Sequence, residues 1–359
     1  MAVARRVLFA LFSSAVTPAG GRSIVIDGRK ILVDGEVVHL KGVNWNPVPL
    51  GGREAIDADG TFHSDADFVG AVERDAALMR DAGINAVRTY TLVTDRVVLD
   101  TLYENNIFLL NTVYRGHEDL DHEVSRLDDI KDHPAVLMWV IGNEWNDQHC
   151  YARLTHDECR DRIKAGVQHV KLADPTRPVA TVYGKLPSTE TVEELEAVGV
   201  DVWGINYYNG TTFGELFQIW STRSTSPMFV GEFGADAWNS AEGRMDLEAQ
   251  ADATKLLTDE IVTNSVADGG VCSGGMIFEF ADEWWKDWTS SPTDHSTKGF
   301  RWVDEVASTY GPYPDYLYNE EWWGLVDIDR NPRPAYETYR NVSSPGRRLS
   351  NADPEARYV

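Results

Sequence analysis

Two short runs that end in glutamate hold the residues best suited to chemistry: Trp139-Val140-Ile141-Gly142-Asn143-Glu144-Trp145-Asn146 and Met228-Phe229-Val230-Gly231-Glu232-Phe233-Gly234. Each is apolar and strand-like, and each delivers its carboxylate where the run breaks into a loop containing Gly or Asn. Two carboxyls carried to one rim by separate parallel strands suit cleavage of a glycosidic bond with retention, in which one protonates the leaving oxygen and the other attacks the sugar. Either glutamate alone reads equally well as a capping or ion-paired carboxylate. The pair is the signal.

Positioning such a pair requires a scaffold, and the chain has a regular one. Residues 23–26, 30–33 and 37–42 are strand-like, separated by the turn pairs Asp27-Gly28 and Asp34-Gly35. They predict a hairpin on a barrel floor, leading into a first barrel strand that ends at Gly42-Val43-Asn44-Trp45. Further strands are expected at 84–90, 107–113, 136–143, 178–182, 200–206, 227–232 and 275–280. Helices are expected at 67–82, 94–105, 157–173, 191–198, 213–221 and 245–265, then a long insertion over 282–323 and a closing helix at 334–341. Alternating strands and helices imply parallel βα units, and eight strands imply closure into a (β/α)8 TIM barrel of the α/β class. A doubly wound open sheet is the alternative, but no Gly-rich phosphate loop follows any strand. The count puts Glu144 on strand four and Glu232 on strand seven, at the C-terminal face where barrel chemistry sits.

At 359 residues the chain suits one barrel with insertions, and its 43% hydrophobic content suffices for the core. The expected organisation is a signal peptide at 1–20, a catalytic barrel at 21–345 and a polar tail at 346–359. The leader reading rests on Arg5-Arg6, the short apolar run 7–16, and Thr17-Pro18-Ala19 ahead of a cleavage point. It predicts a secreted or extracytoplasmic protein, with a buried or disordered N-terminal segment as the alternative. A formal charge of -24 and a pI near 4.7 argue against nucleic acid or an anionic membrane surface as partner. No second apolar run of membrane length is present in the sequence, and oligomeric state is not legible in it. Cys150 and Cys159 either close a small loop, leaving Cys272 over, or all three are free thiols.

Asn143-Glu144 after an apolar strand, with Gly231-Glu232-Phe233 far downstream, resembles the retaining glycoside hydrolases of the largest (β/α)8 superfamily. The resemblance covers nearly the whole chain from about Leu32 onward. It implies that Glu144 is the acid/base and Glu232 the nucleophile. It further implies that Arg88 and Tyr208 steady the Glu232 carboxylate, that Asn143 donates to the sugar 2-hydroxyl, and that neither cofactor nor metal is needed. Tyr207 competes with Tyr208, because adjacent strand residues face opposite ways, and the offset from Asn206 favours Tyr208. Within the superfamily, the stretches 42–47, 82–90, 142–147 and 274–280 resemble fungal β-1,3-glucanosyltransferases of glycoside hydrolase family 72. The stretches 133–139 and 329–335 resemble instead the catalytic barrels of β-galactosidase and β-glucuronidase relatives.

Trp45, Trp145, Trp238, Trp284 and Trp285 are candidate sugar platforms, with core packing as the alternative for each. Phe278 stands where the superfamily often has a strand-eight tryptophan, which implies weaker stacking beside the scissile bond. Glu279 either binds a hydroxyl or pairs with Arg88 or Arg301. Asn46 and Asn111 are rim candidates or turn caps. His63, His117 and His122 lie in rim loops without a spacing that recurs as a ligand set. The expectation is a retaining glycosidase or transglycosidase acting on a β-linked glucan-like carbohydrate, with Trp145 and the insertion as sources of acceptor stacking. The alternatives are an exo-acting β-galactosidase, β-glucuronidase or β-mannosidase type, and a catalytically silent carbohydrate-binding barrel.

Overall fold

The computed structural model describes residues 22–46, 66–286, 291, 293–301, 310–343 and 345. The expected leader, His63 and the polar tail lie outside these residues. Eight parallel strands close into a barrel: β1 (Leu40–Asn44), β2 (Ala86–Arg88), β3 (Phe108–Tyr114), β4 (Val136–Asn143), β5 (Val179–Gly184), β6 (Val202–Asn206), β7 (Met228–Phe233) and β8 (Cys272–Ile277). Pairing of β8 with β1, from Gly274 opposite Leu40 to Ile277 opposite Val43, completes the ring. The helices alternate with the strands: α1 (Ala66–Asp81), α2 (Arg96–Glu104), α3 (Leu120–Ser125), α4 (His156–Ala173), α5 (Thr189–Val198), α6 (Leu216–Arg223), α7 (Leu247–Thr263) and α8 (Pro334–Arg340). The fold is the expected TIM barrel.

Every residue of β4 and β7 is buried, because each strand has the barrel interior on one face and helices on the other. Inside, Leu110, Met138, Val140, Ala180, Phe229 and Met276 pack together with Ile31 and Val33. The last two belong to a three-stranded antiparallel sheet (24–27, 30–33 and 36–37) that precedes β1. Burial of this hairpin on the interior cluster makes it the barrel floor, so the opposite, C-terminal end is left for the site. β8 begins three residues earlier than expected. Phe278 to Phe280 leave its ladder toward the rim, the Phe280 N–H bonding to the Asn44 carbonyl at 3.0 Å. A buried ion pair of Arg333 with Asp282 ties the start of the insertion to the closing segment, and Arg330 of that segment pairs with Asp75 of α1 at 2.9 Å.

Candidate active site

Both glutamates stand at kinks in the pairing. The β4–β5 register shifts between Ile141 and Asn143, and the β7–β6 register shifts between Val230 and Glu232. The residue skipped in each case is a glycine. Such irregularities bend a strand end and re-aim its side chains. Gly142 has φ +82, and a Cβ there would sit 2.5 Å from the Trp145 ring. A Cβ on Gly231 would sit 2.6 Å from Oδ1 of Asn206. Glu144 itself has φ 44, a left-handed conformation that costs a non-glycine residue roughly 1–3 kcal/mol. Its backbone N–H is held by the Val182 carbonyl at 3.0 Å.

Glu232 is 7% exposed and takes three donors. Arg88 Nη1 reaches Oε1 at 3.2 Å, the Tyr90 hydroxyl donates to Oε1 at 2.8 Å, and the Tyr208 hydroxyl donates to Oε2 at 3.0 Å. Arg88 is wholly buried and also donates to Asn44 Oδ1 at 3.1 Å, to the Gly231 carbonyl at 3.2 Å and to Asn143 Oδ1 at 2.5 Å. One guanidinium thus joins the ends of β1, β2, β4 and β7, a task for which its planar fork is suited.

Glu144 has a different environment. Asn206 Nδ2 donates to its Oε1 at 3.0 Å and to Asn143 Oδ1 at 3.3 Å, linking it through Asn143 to Arg88 and Glu232. Burial, and next the nearby charge of Glu232, push its carboxyl up to about 8. At neutral pH it holds a proton. Two carboxyls in one site with opposed surroundings is the arrangement of an acid and a nucleophile.

A cleft of about 920 Å³ opens over both, lined by Glu144, Glu232, Asn143, Tyr208, Phe278 and Asn46 among others. Asn46 also donates to Glu283. Phe278 lies edge-on to Tyr90 and Trp323, with the Lys286 ammonium 4.2 Å from its ring centre. Glu279 is 1% exposed and sits 4.0 Å from Lys286, not on Arg88. Burial, with the charge of Glu283 next, raises its pKa well above the ordinary range. Arg301 instead donates to the Asp315 carbonyl at 3.0 Å. Tyr207 packs on Phe213 and Tyr310, so of the two tyrosines Tyr208 faces the site.

The five tryptophans expected as sugar platforms require correction. Trp45 is 1% exposed and its indole N–H is spent on Asp75 at 3.1 Å. Trp145 is wholly buried under Gly142, with its N–H on Thr181 at 3.1 Å and its ring against Tyr183. Trp284 is half-buried, edge-on to Trp285, and neither lines the cleft. Trp238 packs on Trp322, away from the cleft lining. Asn111 is buried and holds both backbone groups of Val93 at 2.9 Å, which is a turn-fixing role. His117 lies by Glu118 and His122 is exposed. Among the described residues no group of three His, Cys, Asp or Glu side chains could hold a metal ion, and no helix is long and apolar enough to cross a membrane. Cys150 and Cys159 form a disulfide, and Cys272 is a buried free thiol.

The structure also brings in residues not singled out above. Tyr90 lies two positions after Arg88, so period-two alternation was an available signal for its facing the same way. Asn206 stands two before Tyr208. Asn44, not its neighbour Trp45, does the work at the end of β1, bonding the Gly231 and Met276 carbonyls at 3.1 Å. Tyr151 and Trp323, both lining the cleft, carry no local signal.

The model of the family described as "Glycosyl hydrolases family 2, TIM barrel domain" matches residues 115–262, which include both glutamate strands. β-Glucuronidase of Rattus norvegicus is 27% identical over 253 residues, covering 61% of this chain and 34% of that protein. β-Galactosidase of Priestia megaterium is 22% identical over 331 residues, covering 82% of this chain and 28% of that one. The chain spans about a third of the length of these curated relatives. Among solved structures, a family 2 β-galacturonidase from Eisenbergiella tayi bound to galacturonate aligns with a TM-score of 0.60 at 20% identity, over 89% of this chain and 53% of that one. These likenesses bear out the resemblance to retaining (β/α)8 glycosidases, and in particular to the β-galactosidase and β-glucuronidase barrels.

Proposed function

We propose that the chain is a retaining glycosidase or transglycosidase that acts on a neutral, β-linked, glucan-like carbohydrate by double displacement. The observation that carries this reading is the contrast between two carboxyls in one cleft. Glu232 accepts from a guanidinium and two phenols, while Glu144 keeps its proton to about pH 8. In the first step a Glu232 oxygen bonds to the anomeric carbon as Glu144 gives its proton to the leaving oxygen. Esterification removes the Glu232 charge that helps raise Glu144, so Glu144 becomes a stronger acid and its carboxylate is then free to act as base. It takes a proton from water or from a sugar hydroxyl, whose oxygen displaces Glu232. Asn143, anchored by Arg88, offers an amide N–H to the sugar 2-hydroxyl.

A neutral sugar is supported by two cations of the cleft, Lys286 and Arg115, that are already matched by carboxylates. Lys286 is 2.8 Å from Glu283 and 3.5 Å from Glu320, and Arg115 is 2.7 Å from Glu118. The second reading, an exo-acting β-glucuronidase or β-galactosidase type, is favoured by the similarity to those enzymes. Export is part of the proposal, supported by the N-terminal run and by the Cys150–Cys159 bond, which suits an oxidising compartment. The test is labelling with activated 2-deoxy-2-fluoro β-glycosides of glucose, galactose and glucuronic acid, followed by peptide mapping. A covalent sugar on Glu232 is expected, formed fastest from the glucoside; absence of any label, or normal turnover by Glu232→Gln, refutes the reading. Lengthened products from β-glucan oligosaccharides would establish transfer, and shortened products alone hydrolysis.

A further inference from the structure

The loop after Glu144 carries a tyrosine whose hydroxyl reaches into the site. We propose that Tyr151 is a positioning residue of the donor subsite, its hydroxyl orienting the Asn143 amide toward the sugar 2-hydroxyl, and that the Cys150–Cys159 disulfide holds it there. The inference rests on the glycosidase reading above. Asn143 has its amide oxygen on Arg88 at 2.5 Å and on Asn206 at 3.3 Å, while its Nδ2 donates to the Tyr151 hydroxyl at 2.7 Å. These contacts fix which way round the amide sits and leave one N–H of Nδ2 to give to a substrate. Having accepted from Asn143, the Tyr151 hydroxyl keeps its own proton to donate. Burial of the hydroxyl, then the charges of Glu144 and Glu232, raise its pKa, so it stays a phenol throughout the working range.

The ring is 46% exposed along the cleft wall, next to the acid. Its placement comes from outside the loop. His149, Cys150, Tyr151 and Arg153 have φ of 48, 52, 56 and 54, a left-handed region that L residues rarely enter, so the segment has little tendency to adopt this path alone. The disulfide ties Cys150 to Cys159 in α4, and a Cβ on Gly116 would collide with the Cys150 sulfur. His117 bonds the Cys150 carbonyl at 3.0 Å and meets the Tyr151 ring edge-on, while the Arg115 guanidinium lies 5.9 Å from the ring centre.

The test compares the parent with Tyr151→Phe, which keeps the ring, on aryl β-glucosides with and without the 2-hydroxyl. The expected result is a fall of about tenfold or more in kcat/KM for the 2-hydroxy substrate and under about twofold for the 2-deoxy substrate, the size of one lost hydrogen bond. The double variant Cys150→Ser, Cys159→Ser is expected to show the same selective loss. Equal losses on both substrates, or none, overturn the role of Tyr151; a double variant without selective loss overturns the role of the bridge. A parent inert on both glucosides refutes the glucan-like specificity above, and the same comparison is then made on the galactoside or glucuronide; a parent inert on all of them refutes the glycosidase reading itself, and this inference with it.

Discussion

Replacing Glu144 by glutamine should stabilise the protein, and increasingly so as pH rises from about 4.5 to about 8. Folding moves this carboxyl from its ordinary 4.5 to about 8, chiefly because burial penalises the charge. The sign follows from proton counting. Between those values the folded state binds the proton and the unfolded state has lost it, so stability falls as pH rises through the window and levels off above about 8. At about 1.36 kcal/mol per pH unit over that interval, the penalty approaches about 5 kcal/mol, taken as a ceiling. Glutamine removes the charge yet keeps an oxygen to accept from Asn206. With an unfolding entropy of about 2.1 cal/mol/K per residue over 359 residues, roughly 0.75 kcal/mol/K, the ceiling corresponds to a rise of about 6–7 °C in Tm. The assay is thermal unfolding of parent and Glu144→Gln from pH 4 to pH 9, taking the difference so that other titrating groups cancel. The Tm difference should be near zero at pH 4 and grow steadily to a plateau near pH 8–9. A difference that does not vary with pH, or a glutamine variant that melts lower at pH 8, refutes the reasoning.

Three further outcomes are expected. The Glu144→Gln variant should lose about 10²- to 10⁴-fold in kcat on alkyl glycosides but little in the first turnover of dinitrophenyl glycosides, and parent kcat/KM should fall through an apparent pKa near 8, all read from pH–rate profiles. Tyr90→Phe and Tyr208→Phe each remove one donor to the Glu232 carboxylate, so each should lower kcat/KM by about 10- to 100-fold, the size of a hydrogen bond to a charged group, measured by steady-state kinetics. Trp45→Phe leaves Asp75 short of a buried donor and should cost about 1–3 kcal/mol in denaturant unfolding with KM unchanged; a raised KM would restore Trp45 as a sugar contact.

Much of the fold was legible because its signals are local. Alternating runs of strand and helix periodicity marked the barrel, and β4 was found at its observed bounds since an unbroken apolar run between loops has one reading. The bounds of β8 differ from the expected ones at both ends, because Cys272 to Phe280 is apolar enough throughout to read as strand and only pairing with β7 and β1 shows where the ladder starts and stops. The tryptophans were the least legible. An indole has the same composition on a cleft wall as in a core, and its fate is decided by a partner far along the chain, as with Trp45 and Asp75.

What the sequence alone determined was the barrel and the presentation of Glu144 and Glu232 from its fourth and seventh strands, because strand order and strand ends are written in short-range pattern. What only the tertiary structure decided was the company each carboxyl keeps. Arg88, Tyr90 and Tyr208 converge on Glu232 from separate strands and loops, and Asn206 reaches Glu144 across a gap that Gly231 leaves open. Burial and neighbouring charge set the proton on Glu144, and both are properties of the closed barrel rather than of any segment within it.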